Sequence, residues 1–168
     1  MNVFFDIETL PAPATDPAWL ARLEQLQARA DLKFDDDAAD RAHRLTALDP
    51  RHGRILCISF AVDTGPVRTV HGLSGQSAEH MKRTLAQIGA GDMGAIDLDD
   101  WERVTLHAFA AAIADLNEPP VFIGHNIAAF DVPWVQTRAL YHTPSDVDAA
   151  DRGGLYDLIW ALSPMDGK

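Results

Sequence analysis

Short apolar runs along the chain predict the strands of a sheet. Runs at 3–5, 55–62 and 121–123 are continuous, which is typical of buried strands. A turn-forming stretch, 63–66 (Asp-Thr-Gly-Pro), separates the second run from another extended segment at 67–71. The two segments on either side of that stretch therefore predict a β-hairpin.

Apolar residues three and four positions apart predict five helices between and after these strands. Asp16 before Pro17 is typical of a helix start, and Asp99 or Asp100 is expected to cap the fourth helix. The predicted helices cover about 17–30, 36–48, 78–88, 100–118 and 130–141. Residues 155–162, which follow a glycine pair, fit either a short strand or the start of a helix.

This order of elements predicts an α/β fold with a mixed sheet flanked by helices. We expect a single domain over 1–168, with an insertion at about 11–50 between the first two strands, because 168 residues is near the size of one domain. There is no apolar run of membrane-spanning length, and the first residues are not expected to be a signal peptide. The single cysteine, Cys57, excludes an internal disulfide, so a cytoplasmic location is expected.

The formal net charge of −11 argues against binding of nucleic acid through a broad basic surface. It does not exclude an enzyme that meets nucleic acid through carboxylates on metal ions, because bound cations reverse the local charge. Acidic runs at 35–37, 97–102 and 146–151 are expected to be solvated loops and helix starts.

Two segments place carboxylates at the ends of predicted strands. Asp6 and Glu8 are two apart in a strand, so both side chains are expected on one face of the sheet. Such neighbours repel unless a cation lies between them, and Mg²⁺ or Mn²⁺ prefers their hard oxygens. Asp131 follows the last predicted strand at the start of a helix. The alternatives are two exposed acids at a strand end, and a helix N-terminal acid favoured by the helix dipole.

The segments 4–9 (FFDIET) and 125–131 (HNIAAFD) resemble the first and second motifs of the DEDD superfamily of 3′–5′ exonucleases. The wider pattern is most similar to the branch related to the exonuclease domain of family B DNA polymerases. The resemblance implies a ribonuclease-H-like fold in which Asp6, Glu8 and Asp131 bind two Mg²⁺ or Mn²⁺ ions. It also implies hydrolysis of phosphodiesters from the 3′ end of a single strand, with DNA expected and RNA left open.

The same resemblance implies a substrate pocket beside the metal ions. Thr9 and Leu10 would lie near the terminal nucleotide, and His125, Asn126 and Phe130 would shape the pocket. Asn126 fits equally well as a turn residue, and Phe130 as a core residue. The expected partners are the 3′ end of a single strand and a DNA polymerase or other replication or repair protein, in the cytoplasm of a bacterial or phage-type system, without a membrane.

One motif of the superfamily has no match in this sequence. A third motif supplies a fourth carboxylate, with a Tyr or His four or five residues before an Asp on a downstream helix. The segment 156–158 (Tyr-Asp-Leu) resembles only what precedes that helix, and His142 with Asp146 is a chance spacing because Pro144 interrupts it. The fold is therefore expected to stop before its last helix. This leaves an alternative function, a catalytically impaired nucleic-acid-binding or regulatory domain of the same fold.

Overall fold

The computed structural model describes residues 1–13, 15–28, 36–89, 96–143 and 149–163, and these form an α/β fold. The strands are β1 (Asn2–Leu10), β2 (Arg54–Val62), β3 (Arg68–His71) and β4 (Val121–Ile123). The helices are α1 (Pro17–Gln27), α2 (Asp36–Leu45), α3 (Ala78–Gly89), α4 (Leu98–Ala114), α5 (Asp131–Tyr141) and α6 (Ala149–Leu162), with a 3₁₀ turn at Thr46–Leu48.

Among the described residues the strands form one mixed sheet in the order β3-β2-β1-β4. β1 pairs antiparallel with β2 and parallel with β4, and β2 pairs antiparallel with β3. The predicted hairpin is therefore confirmed. This four-stranded mixed sheet flanked by helices confirms the expected fold class and is compatible with a ribonuclease-H-like fold.

The two faces of β1 have opposite characters. Val3, Phe5 and Ile7 are buried, and the side chains of Asp6 and Glu8 lie on the exposed face. This alternation is typical of a strand with one covered face. The covered face packs on α4, where the ring of Phe109 lies 5.5 Å from that of Phe5 and 5.3 Å from that of Phe60.

Four sequence expectations are corrected by the structure. The apolar run at 3–5 is not buried throughout, because Phe4 lies on the open face of β1 and is 43% exposed. Helix α4 is capped by Asp97, whose carboxylate accepts hydrogen bonds from the N–H groups of Asp99 and Asp100, so neither of those two is the cap. Strand β4 is not buried, because it lies at the edge of the described sheet with Val121 57% and Ile123 37% exposed. Helix α6 runs through the glycine pair at 153–154, so residues 155–162 continue a helix and do not begin one.

The insertion contains the two helices that the pattern predicted. The side chain of Asp16 caps α1 by accepting a 2.8 Å hydrogen bond from the N–H of Trp19. Helix α2 ends at Leu45, and the 3₁₀ turn replaces its expected last residues. The hydroxyl of Thr9 donates a 2.6 Å hydrogen bond to the carbonyl of Ala47, which ties this turn to the end of β1. No helix in the described parts of the chain combines the length and apolar character needed to cross a bilayer.

A buried ion pair joins α4, α5 and β2. The carboxylate of Glu102 is fully buried and accepts hydrogen bonds from Arg138 Nε and Nη2, the shortest being 2.6 Å. It also accepts the N–H of Ile55 at 2.7 Å, and His142 Nε2 lies 2.7 Å from its Oε2. Burial alone would raise the pKa of Glu102, but hydrogen bonds from His142 and Arg138 outweigh it and leave that pKa below its usual value.

We expect Arg138→Ala to lower the free energy of unfolding by about 3–5 kcal/mol, because Glu102 would stay buried without its main counter-charge. The matched control is Arg103→Ala, which breaks the exposed pair with Asp100 and should cost at most about 1 kcal/mol. Urea titrations measure both. Equal losses in the two variants would contradict the expectation.

In the wild-type protein the contribution of Glu102 to the free energy of unfolding is complete above its ordinary pKa of 4.5. It is lost as the pH falls through the lower pKa that Glu102 has in the folded protein.

Candidate functional site

The two carboxylates of the first motif stand side by side on the open face of the sheet. Asp6 lies opposite Ser59 on β2, and Glu8 lies opposite Cys57. Burial raises the pKa of the Cys57 thiol, and the negative charges of Glu8 and Asp6 add to the rise. The predicted common face of Asp6 and Glu8 is confirmed.

Asp131 brings the second motif to the same strand. It is the first residue of α5 and its side chain is buried. Its Oδ1 accepts a 3.2 Å hydrogen bond from the N–H of Ile7, the residue between Asp6 and Glu8, across 124 positions of sequence. The three carboxylates are therefore gathered around one short stretch of β1, from two elements that are distant along the chain.

The buried carboxyl of Asp131 is a poor place for an uncompensated negative charge. Its pKa is raised, chiefly by burial and also by the charge of Asp6, although the hydrogen bond from Ile7 and the nearby imidazole of His125 work in the opposite direction. Oxygen ligands that repel one another are the donor set that hard divalent cations prefer. The chemistry of Asp6, Glu8 and Asp131 thus fits a divalent metal ion.

A tight turn between β4 and α5 sets the position of Asp131. Asn126 has a positive φ of 55°, and its carbonyl accepts hydrogen bonds from the N–H groups of Ala129 and Phe130, both at 3.0 Å. A Cβ at Gly124 would lie 2.9 Å from the carbonyl oxygen of Phe5. The turn therefore presses directly on β1 at the residue before Asp6, which only glycine permits there.

The residues expected to form the substrate pocket have different surroundings. His125 is exposed beside Asp131, and Asn126 is exposed on the turn. Leu10 is half-buried at the end of β1, opposite Arg54, and the hydroxyl of Thr9 is occupied by the carbonyl of Ala47. Phe130 is half-buried with its ring 5.9 Å from that of Trp134, which matches the core-packing alternative.

Asp157 lies away from this group. It lines a cavity with Pro120, next to Val121, and Val121 pairs with Asn2 at the start of β1. Glu8 is six residues further along that strand, or about 20 Å at the usual rise. Asp157 is exposed on α6 and does not supply a fourth carboxylate to Asp6, Glu8 and Asp131.

Sequence reasoning missed one cluster that could hold a metal ion. Asp99, Glu102 and His142 offer ligand atoms that lie within 4.8 Å of one another, and they are the one such group of three in the described parts of the chain. Asp6, Glu8 and Asp131 are spread more widely. The run 97–102 was expected to be solvated, but Glu102 is buried, because it faces Arg138 across α4 and α5. Arg54 also contacts Asp99 at 2.6 Å, so two guanidinium groups already supply positive charge to this cluster.

Comparisons of the chain with protein-family models, with curated proteins and with solved structures found no match. Function is therefore inferred from the geometry around Asp6, Glu8 and Asp131.

Asp131→Asn should make the metal-free protein more stable at neutral pH. The asparagine keeps an oxygen for the N–H of Ile7 but removes a charge that burial opposes. A carboxyl whose pKa is higher in the folded protein destabilises the fold once it ionises. The stability of the wild-type protein should therefore fall as the pH rises from 3.8 through the pKa of Asp131 in the folded protein. Melting temperatures measured in chelator across this range should separate the two proteins at high pH and converge at low pH. A variant that melts lower than wild type at pH 7 would contradict this.

Two substitutions at Asn126 separate its backbone role from any role of its amide. Asn126→Gly accepts the positive φ and should leave stability unchanged, but Asn126→Ala should cost about 1 kcal/mol. Chemical denaturation measures both. Equal stability of the two variants would show that the left-handed conformation does not constrain this position.

Proposed function

We propose that the protein is a metal-dependent 3′–5′ exonuclease with a ribonuclease-H-like fold, which hydrolyses phosphodiesters at the 3′ end of a single strand. DNA is the substrate we expect. The carboxylates that would hold the metal ions are Asp6, Glu8 and Asp131. Two observations support the proposal: the sequence contains both motifs, and their carboxylates lie around the same part of β1.

One contact carries the proposal. The hydrogen bond from the N–H of Ile7 to Asp131 brings the second motif to the residue between the two carboxylates of the first. A helix-dipole acid would need no such contact, and an acid at a solvated helix start would not be buried. The alternative explanation for Asp131 thus accounts for its place at the start of α5 but not for its burial against β1.

The donor set fits divalent cations shared among the three side chains. Metal ions held by these carboxylates would activate a water for attack and stabilise the leaving 3′ oxygen. Both Mg²⁺ and Mn²⁺ suit oxygen donors of this kind.

The roles of the protein side chains follow from their surroundings. Asp6 lies at the middle of β1 on its open face, so it would be a central ligand of the metal ions. Glu8 is exposed at the far end of the open face, so it is free to bind an ion directly or through water. Asp131 has one oxygen held by Ile7, which orients the other.

One observation favours the second function, a catalytically impaired nucleic-acid-binding or regulatory domain. Asp157, the acid nearest in sequence to where the third motif would be, lies toward the opposite end of β1 from Glu8. The superfamily resemblance implies a fourth carboxylate for full activity. The same assay distinguishes the two functions.

The test is digestion of a 5′-labelled single strand, in DNA and RNA versions, with Mg²⁺ or Mn²⁺. We expect a ladder of products shortened from the 3′ end, and no ladder from a strand with a blocked 3′ end. Asp6→Asn and Asp131→Asn should each reduce the rate at least about 10²-fold, because each removes several kcal/mol of transition-state stabilisation.

The matched control is Asp157→Asn, which neutralises an exposed acid outside the carboxylate group and should leave the rate unchanged. Strand binding without any metal-dependent product would establish the impaired domain instead. A ladder that survives Asp6→Asn would refute the assignment of these carboxylates.

A further inference from the structure

The insertion encloses a groove between α1 and α2. We call it the α1–α2 groove, and its volume is about 520 Å³. One wall is apolar, with Leu26 half-buried and Leu45 61% exposed to solvent. The rim carries Arg22, Arg51 and His52. An apolar wall beside cationic side chains suits a ligand that is partly flat and apolar and partly anionic.

The rim has positive charge available for a ligand. Arg22 is exposed and makes no ion pair with any described acid. Arg51 contacts Asp49 through Nε and Nη2, at 2.9 and 2.6 Å, which leaves Nη1 without a partner among the described residues. The two arginines and Asp49 sum to a positive groove in a protein whose formal net charge is −11. Among the described side chains, His52 also has a buried Nδ1 with no hydrogen-bond partner.

The α1–α2 groove is attached to the end of β1. Thr46 lines the groove, and its hydroxyl accepts a 2.8 Å hydrogen bond from the N–H of Ala12. The carbonyl of the next residue, Ala47, accepts a hydrogen bond from the hydroxyl of Thr9, which directly follows Glu8 in the sequence. The groove is thus held by hydrogen bonds to the segment that leads out of the carboxylate group.

We propose that the α1–α2 groove binds the phosphodiester backbone of a single-stranded nucleic acid, upstream of the 3′ end that reaches Asp6, Glu8 and Asp131. This inference rests on the proposed exonuclease function and adds a binding site to it. Arg22 and Arg51 contact phosphates, and Leu26 and Leu45 contact bases without reading their sequence. A local cationic groove also explains how a protein with a large negative charge holds a polyanion beyond its metal ions.

The test measures binding of a fluorescent oligothymidine to the full chain in chelator, where no hydrolysis occurs, between ~50 and ~200 mM salt. Arg22→Ala and Arg51→Ala should each weaken binding several-fold. Each should also reduce the slope of log K against log salt by about 0.7, the value for one phosphate contact on a single strand. Melting temperatures of all variants show that they are folded.

Two exposed arginines outside the groove are matched controls. Arg103→Ala leaves an aspartate without its arginine partner, as Arg51→Ala does, and Arg83→Ala removes an exposed arginine on α3. Neither should change the affinity or the salt slope. Equal weakening by all four variants, no weakening by the groove variants, or no binding by the wild-type protein would each overturn the proposal. A groove that binds an acidic peptide but no nucleic acid strand would also overturn it.

A second substrate separates this inference from the proposed function. Hydrolysis of bis(p-nitrophenyl) phosphate with Mn²⁺ requires the carboxylates. This substrate is too short to reach the α1–α2 groove. We expect Asp6→Asn to abolish it and Arg22→Ala to leave it unchanged. Strand binding through the groove without any hydrolysis would refute the exonuclease proposal but support the groove as a binding site. Hydrolysis without groove-dependent binding would support the exonuclease proposal and refute the groove.

Discussion

The buried pair between Glu102 and Arg138 is the interaction that the arrangement of the site depends on. It holds α5 against α4 and β2, and Arg138 lies two helical turns from Asp131, on the same side of α5. A helix pinned in this way has little freedom to slide or turn, so its first residue is delivered to the N–H of Ile7. The pair is stabilising only as a complete set, because a single buried charge left alone is costly. The pair therefore fixes the start of α5, and with it Asp131, from a part of the helix that does not touch the other two carboxylates.

The same network includes a second group of possible metal ligands on α4 and α5. Asp99, Glu102 and His142 are close enough to hold an ion, and they are closer to one another than Asp6, Glu8 and Asp131 are. What distinguishes the two groups is the neighbouring charge. Arg138 and Arg54 already compensate the first, but no guanidinium contacts the carboxylates of the second among the described residues.

Most of the fold could be predicted from the sequence, because strands and helices are governed by local patterns. The hairpin after β2 and the helices of the insertion follow from residues within a few positions of one another, but the apolar run at 3–5 did not indicate that Phe4 is exposed on the open face of β1. The errors arose where a local pattern was decided by distant neighbours. Strand β4 is apolar enough to be buried, yet it lies at the edge of the described sheet, and the glycine pair in α6 did not stop a helix that packs on α4 and α5.

The candidate site shows the same division. Residue spacing alone placed Asp6 and Glu8 on one face, and the two motifs identified Asp131 as their companion. Only the tertiary structure decided that Asp131 is buried against Ile7, that Thr9 contacts the insertion, and that Glu102 is an interior charge and not part of a solvated run. The physical reason is that alternation and helical periodicity are set by the backbone within a few residues, whereas burial and the pKa of a carboxyl depend on groups brought close by folding from more than 100 positions away.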